Sequence, residues 1–299
     1  MGPAGLFAFV AAAALAWWLT PRLARVAAAR GLVARPSPRG VHRHPTPVSG
    51  GATIAVSAAI ALAVAVAGSR APLPAWIVLP ALLVALVGTL DDVLELRWAT
   101  KLALEIAVVV LALWLDGQRS VDARSVLAFA WLVLVTNAMN FIDNMDGLAA
   151  GTAAIALLAL AAIAGAAGAG SIGVLALAIA GACAGFFWPN FSRGAAFLGD
   201  CGSLVLGFVA AATSLSIADR APSPVGYAAL IALGYPIFDV VFVVARRCAN
   251  RRSPLAGGTD HTSHALAARL GTPRRAVACL LAVSGVIASA AVAVAVGGA

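Results

Sequence analysis

Five short stretches of an otherwise apolar chain carry side chains able to do chemistry. The densest is N-F-I-D-N-M-D-G, residues 140–147, with Asp143 and Asp146 three apart and Asn140 one turn earlier. A helix through them would present both acids on one face. Two carboxylates held together repel unless a cation or a polar ligand group joins them. Asp91 and Asp92 are adjacent in G-T-L-D-D-V-L-E-L-R, residues 88–97. Such a pair suits a divalent cation, or a coupled ionisation in which one member acts as base; the plainer reading is a polar helix terminus. In residues 188–203, Asp200 stands between Gly199 and Gly202, which allow close approach of the backbone to a ligand. Phe197 precedes it by three residues and is either a ring at the mouth of a site or an interface aromatic. His261 and His264 lie in G-G-T-D-H-T-S-H, residues 257–264, after an arginine-rich stretch. That loop suits phosphate; a zinc site would need further N or S ligands. The fifth stretch, residues 39–51, holds His42, His44 and Thr46 ahead of Gly50-Gly51. It reads as a phosphate-holding loop or as an orientation signal with a turn. The oxygen-rich acids favour Mg²⁺, which binds through one or two carboxylates plus substrate phosphates; Mn²⁺ is the substitute considered.

The elements that must position these groups are membrane spans. Of 299 residues, 62% are hydrophobic and 11% charged, with a mean hydropathy of +0.99. Soluble domains carry about 25% charged residues, so the chain is an integral membrane protein. Its net charge of +8 would suggest nucleic acid in a soluble chain. Here it reads as loop arginines that set orientation, with no nucleic acid as partner. Cys183, Cys201, Cys248 and Cys279 form no C-x-x-C or metal-ligand spacing and read as free thiols.

A span needs roughly 20 apolar residues, within a range of about 17–25. Ten segments qualify: 3–21, 48–67, 74–90, 99–115, 124–139, 148–166, 171–188, 203–218, 225–245 and 274–297. The expected architecture is a single all-α polytopic domain, residues 1–299, of about ten transmembrane helices. Counting Lys and Arg on alternate sides gives 16 on the odd-numbered loops and 4 on the even. That asymmetry places the odd loops in the cytoplasm and both termini outside. Asp91, Asp92, Asp143, Asp146, Asp200, Asp260 and all four histidines then share the cytoplasmic face. The odd-numbered loops are expected to form a cytoplasmic-face active site. A carboxylate at the centre of a lipid-embedded helix costs about 2.5–3.5 kcal/mol on insertion scales, so acids gathered beside lipid call for an explanation.

The five stretches, in this order, resemble the polyprenyl-phosphate N-acetylhexosaminyl-1-phosphate transferases, glycosyltransferase family 4. The matching elements are H-x-x-P-T-P…G-G at His42–Gly51, D-D at Asp91-Asp92 and N-x-x-D-x-x-D-G at Asn140–Gly147. F-L-G-D-x-G-S at Phe197–Ser203, P-x-x-D at Pro236–Asp239 and the histidine loop complete the set. The resemblance implies a Mg²⁺-dependent enzyme of the bacterial plasma membrane. It would move N-acetylhexosamine 1-phosphate from a UDP-sugar to polyprenyl (undecaprenyl) phosphate, releasing UMP. It also implies roles. Asp200 binds Mg²⁺, and Asp91 or Asp92 deprotonates or orients the lipid phosphate. Asn140, Asp143 and Asp146 line the nucleotide-sugar pocket, Asn190 contacts the diphosphate and Phe197 stacks on uracil. His261 and His264 hold phosphate, and His42 and Thr46 join the substrate contacts. A homodimer is the one protein assembly considered. The chain departs from the usual H-x-H-H of GlcNAc-type members, carrying His261-Thr262-Ser263-His264. The competing reading is a multi-pass transporter with an acidic cytoplasmic cation-binding vestibule, for which Glu105 and Asp239 are the acids at membrane depth.

Overall fold

The computed structural model describes residues 2–34, 45–67, 73–253 and 258–298. Its helices are α1 Pro3–Ala29, α2 Gly50–Val66, α3 Ala75–Leu94, α4 Trp98–Leu115, α5 Ala123–Ile142, α6 Leu148–Ala166, α7 Gly170–Arg193, α8 Gly199–Ala218, α9 Val225–Ile231, α10 Gly234–Ala249, α11 Thr262–Leu270 and α12 Pro273–Gly297. Among the described residues the β-structure is slight: β1, Val33–Ala34, pairs antiparallel with β2, Thr46–Pro47, and Val48 forms a single parallel bridge to Phe197.

Eight of these helices are long and apolar enough to cross a membrane, and α9 with α10 makes a ninth if that pair is one span. The segment expected as one straight span over 225–245 is bent by 53° between α9 and α10. Pro236 explains the break: it has no N–H to offer the carbonyl four residues earlier, at Ala232. The segment expected at 48–67 enters through β2 and forms a 17-residue helix, shorter than any of the eight span-length helices.

Burial separates an inner set from an outer one. In α6, α7 and α8, 72–78% of the apolar window is buried, against 28–39% for α1, α3, α4, α5 and α12. A helix apolar all round belongs inside, and Ala/Gly richness lets these three lie close to their neighbours. The outer helices leave large apolar side chains such as Leu82, Leu127 and Val286 uncovered, as lipid-facing surfaces do.

One crossing sets the geometry used below. At Gly88 a Cβ would lie 2.5 Å from the Cys201 backbone and from the Asp200 carbonyl oxygen. Only glycine therefore lets α3 touch the start of α8. Gly88→Val should force these helices apart, costing about 1–3 kcal/mol as overpacking does. Gly285, with nothing within 4 Å of an added Cβ, is the control. Thermal unfolding in detergent should show a clear drop for Gly88→Val and little change for Gly285→Val; equal midpoints would show that α3 and α8 do not need this contact.

Candidate functional site

Antiparallel succession brings one end of each helix to the same side. The C-terminal turns of α3, α5 and α7 lie with the N-terminal turns of α4 and α8, and the polar residues collect there. At their centre Asp92, in the last turn of α3, accepts hydrogen bonds from the backbone N–H of Asp200 at 2.9 Å and of Cys201 at 3.1 Å. These are first-turn amides of α8, which have no partner inside their own helix. The carboxylate also faces the positive end of the helix dipole. Gly199, with φ +74°, turns the chain into α8, and a Cβ there would come within 2.8 Å of the Asp92 carboxylate.

Asp91 points another way. It accepts from Leu96 N at 2.9 Å and pairs with Lys101 Nζ at 3.1 Å. Lys101 also pairs with Asp200, so one ammonium bridges two carboxylates from α3 and α8. The other oxygen of Asp200 accepts from Asn140 Nδ2 at 3.0 Å, and Asn140 also donates to Ser203 Oγ at 2.9 Å. Asp91, Asp92, Asn140 and Asp200 thus form one continuous polar cluster with Lys101. Among the described residues no group of three or more His, Cys, Asp and Glu forms a ready-made metal cage.

Asp143 and Asp146 are not on a helix. The expected helical face ends early: α5 stops at Ile142, Asp143 is its C-cap, and residues 143–147 form a turn. Gly147 takes φ +82°, and Asn144 Nδ2 donates back to the Phe141 carbonyl at 2.8 Å, capping the end of α5 from outside. Asn190, near the end of α7, holds the turn. It accepts from Gly147 N at 2.5 Å and donates to Asp146 at 3.1 Å and to the Ala196 carbonyl at 2.8 Å. Among the described residues Asp143 has no such partner. Burial, with the charges of Asp92 and Asp146 adding repulsion, pushes its carboxyl up to about 8.

The histidine loop is tied on by a third set of bonds. His261 Nδ1 lies 2.8 Å from Asp239 Oδ2, and Asp239 Oδ1 accepts from the Thr262 backbone N–H at 2.9 Å. Ser263 Oγ donates to Asn144 at 2.6 Å, and the Phe141 ring meets His261 edge-on. His264 Nε2 is buried without a partner among the described residues, and burial with His261 nearby lowers its basicity. Arg247, 3% exposed, pairs with Asp260 at 3.2 Å. Phe197 is fixed through its backbone: its N–H donates to Pro47 O at 2.8 Å and its carbonyl accepts from Gly50 N at 2.8 Å. Thr46 is buried in β2 beside it. His42 lies outside the described residues.

The structure therefore gathers Asp91, Asp92, Asn140 and Asp200 around one lysine. It joins Asp146 to Asn190, and links the turn that carries Asp143 to His261 and His264 through Asn144 and Ser263. Sequence reasoning missed Lys101, counting it among the orientation charges. Its signal was that it is the chain's only lysine. Asn144, Ser203 and Thr262 were also passed over, although each sits inside a stretch already singled out.

Helices of membrane-spanning length with acids, amides and histidines collected at one end define a multi-pass membrane protein with a polar site. Residues 74–218 match the family described as glycosyl transferase family 4. The decaprenyl-phosphate N-acetylglucosaminephosphotransferase of Mycolicibacterium smegmatis is 30% identical over 311 residues, covering 88% of this chain and 76% of that protein. The probable undecaprenyl-phosphate N-acetylglucosaminyl 1-phosphate transferase of Bacillus subtilis is 29% identical, covering 84% and 74%. The phospho-N-acetylmuramoyl-pentapeptide-transferase of Rubrobacter xylanophilus is 32% identical over a shorter stretch, covering 58% and 54%. The chain belongs to glycosyl transferase family 4, and is a phosphoglycosyl transferase.

Asp143 carries a pH dependence whose sign follows from its environment. The folded carboxyl keeps its proton to about pH 8, whereas an unfolded Asp loses it near about 4. Its contribution to stability therefore falls as pH rises through that window, because the folded state binds the extra proton. Asp143→Asn removes the slope. The thermal midpoint of the variant should exceed that of the wild type by more at pH 8 than at pH 5; an offset independent of pH would show that Asp143 is ionised throughout.

Proposed function

We propose that this protein transfers an N-acetylhexosamine 1-phosphate, such as GlcNAc 1-phosphate, from its UDP-sugar to a polyprenyl phosphate, and that the polar cluster is where this happens. The product is a lipid diphosphate-sugar, the first lipid-linked intermediate of a cell-envelope glycan. The observation that carries the reading is the Asp91–Lys101–Asp200 bridge with Asn140 beside it, in a chain of this family. The transporter reading loses one of its two acids at depth: Asp239 is taken up by His261 and Thr262. Glu105 accepts from Asn137 at 2.7 Å through one oxygen and stands alone as a buried acid, far short of an acidic vestibule.

Both substrates are anions, so reaction requires cationic charge where they meet. An oxygen of the lipid phosphate forms a bond to the sugar-bearing phosphorus, and the bond from that phosphorus to the UMP oxygen breaks, its electron pair leaving with UMP. Such a transfer is mostly positioning and charge stabilisation. Lys101 is placed to receive phosphate oxygens once Asp91 and Asp200 find another cation. The donor set suits Mg²⁺, a hard ion that needs only one or two carboxylates besides phosphates and water. Asp200 would hold it, with Asp91 nearest through Lys101, and it would offset charge on the diphosphate. Both oxygens of Asp92 are taken by α8 amides that begin the helix, so Asp92 positions Asp200; Asp91, held by Leu96 N–H and the Lys101 ammonium, would accept the proton of the lipid phosphate once Lys101 turns to phosphate oxygens. Asn140, Asp143, Asp146 and Asn190 would line the nucleotide-sugar pocket, with Phe197 against uracil. His261 and His264 would hold phosphate.

The charge asymmetry supports a cytoplasmic site and outside termini. Ten crossings then include α2 and count α9 with α10 as one. A homodimer is part of this reading.

Purified protein should release UMP from a UDP-N-acetylhexosamine only when Mg²⁺ and a polyprenyl phosphate are both present. Asp200→Asn should lose that turnover at least 100-fold while remaining folded, and near wild-type rates would sink the metal assignment. Lys101→Gln should fall at least tenfold and should not be rescued by excess Mg²⁺. Those fold-losses correspond to about 1.4 kcal/mol of transition-state stabilisation per factor of ten. Cys248, exposed at the end of α10, should take a membrane-impermeant thiol reagent only after cells are opened; labelling of intact cells reverses the topology.

A further inference from the structure

On the outer side of α7, away from Asn190, lies a cavity that the transfer reaction does not use. It has a volume of about 350 Å³ and is lined by Trp17, Trp18, Arg22, Trp188 and Arg193, with prolines and an alanine filling the gaps. The three indoles are 49–60% exposed, so they stand on the outside of the bundle rather than in its core. Arg22 lies over Trp18, its guanidinium carbon 3.7 Å from the ring centre, and donates to the Trp18 carbonyl at 2.6 Å. The Arg193 side chain makes no hydrogen bond or ion pair among the described residues, and no carboxylate lines the cavity. Neither α1 nor α7 contains an acid.

An arginine that only sets orientation can stand anywhere in water. These two line one concavity, the first held against an aromatic face. Tryptophan settles at the headgroup level of a bilayer. The guanidinium fork matches phosphate oxygens and is weakly hydrated, so it binds them at low desolvation cost. Two cations with no local counter-charge, set among indoles at a lipid-facing surface, lack only an anion.

We propose that this α1–α7 cavity binds the phosphate headgroup of an anionic phospholipid from the surrounding bilayer. The cavity also touches Ala195, in the segment between α7 and α8 whose neighbours Ala196 and Phe197 are held by Asn190 and Pro47. A lipid there would brace the outer side of the segment that leads into Asp200. The proposal stands on the cavity and its charges and does not rest on the identity of the sugar substrate.

The test uses intact protein in detergent titrated with phosphatidylglycerol, with phosphatidylcholine as the neutral comparison and occupancy read by native mass spectrometry. Wild-type protein should prefer phosphatidylglycerol. The Arg22→Gln/Arg193→Gln double variant should bind it about 10- to 30-fold more weakly, as expected when two arginines near an anionic headgroup are lost. UMP release in detergent should be unchanged. Arg193→Glu alone, at an exposed helix end, should lose at least tenfold and serves if the double variant does not fold. Wild-type affinity in these variants, or equal binding of the two phospholipids by wild type, overturns the proposal. Displacement of phosphatidylglycerol by stoichiometric polyprenyl phosphate also overturns it, because the cavity would then belong to the substrate lipid.

Discussion

The site depends on a carboxylate set against the start of a helix. Asp92 takes two backbone amides of α8, and those bonds fix where α8 begins relative to α3. Because Asp200 supplies one of the amides, its own side chain can only project to the neighbouring sides, where Lys101 and Asn140 meet it. Gly88 and Gly199 have no role in chemistry, yet without them neither the helices nor the carboxylate could approach so closely. One acid of the D-D pair is thereby spent on architecture. Its neighbour, rotated by one residue, is left to face the lysine.

The charge balance of the cluster is incomplete by construction. Asp91 and Asp200 share a single ammonium and Asp92 has only helix amides, while Asp143, its proton retained, adds no charge at neutral pH. Lysine suits this place better than arginine would. Its ammonium is a compact charge on a flexible stem, able to move between carboxylates and incoming phosphates, whereas a guanidinium fork would fix one bidentate pair. A site left short of positive charge gains most from ligands that bring their own cation. That is the situation of a diphosphate arriving with a divalent metal.

The membrane class, the segments that become helices and the polar stretches were legible, because hydropathy over twenty residues and acids beside lipid are strong, local signals. Asp91, Asp92, Asn140 and Asp200 were identified and are adjacent in space. The partner that joins them was not, since Lys101 is separated from Asp200 by 99 residues and nothing in its neighbours marks it. The turn at 143–147 was misread as helix for a related reason. Its conformation is set by Asn190, which comes from α7 and bonds Gly147 and Asp146, and spacing rules that count only along the chain cannot include such a contact. The bend between α9 and α10 was visible in principle at Pro236, but an apolar run hides a proline within it.

The last turns of α7 connect the two halves of the protein's task. Asn190 faces inward and holds the turn carrying Asp146, while Trp188 and Arg193 of the same helix end face outward beside Trp18 and Arg22. Gly194, with φ +56°, closes the helix, and only five residues separate it from Asp200 at the head of α8. So short a connection cannot absorb a shift at one end without passing it to the other. An enzyme whose acceptor is itself a lipid must keep its polar site level with the headgroups. Anchoring the segment that leads into Asp200 by indoles and cations at that depth does so through contacts that need not touch either substrate.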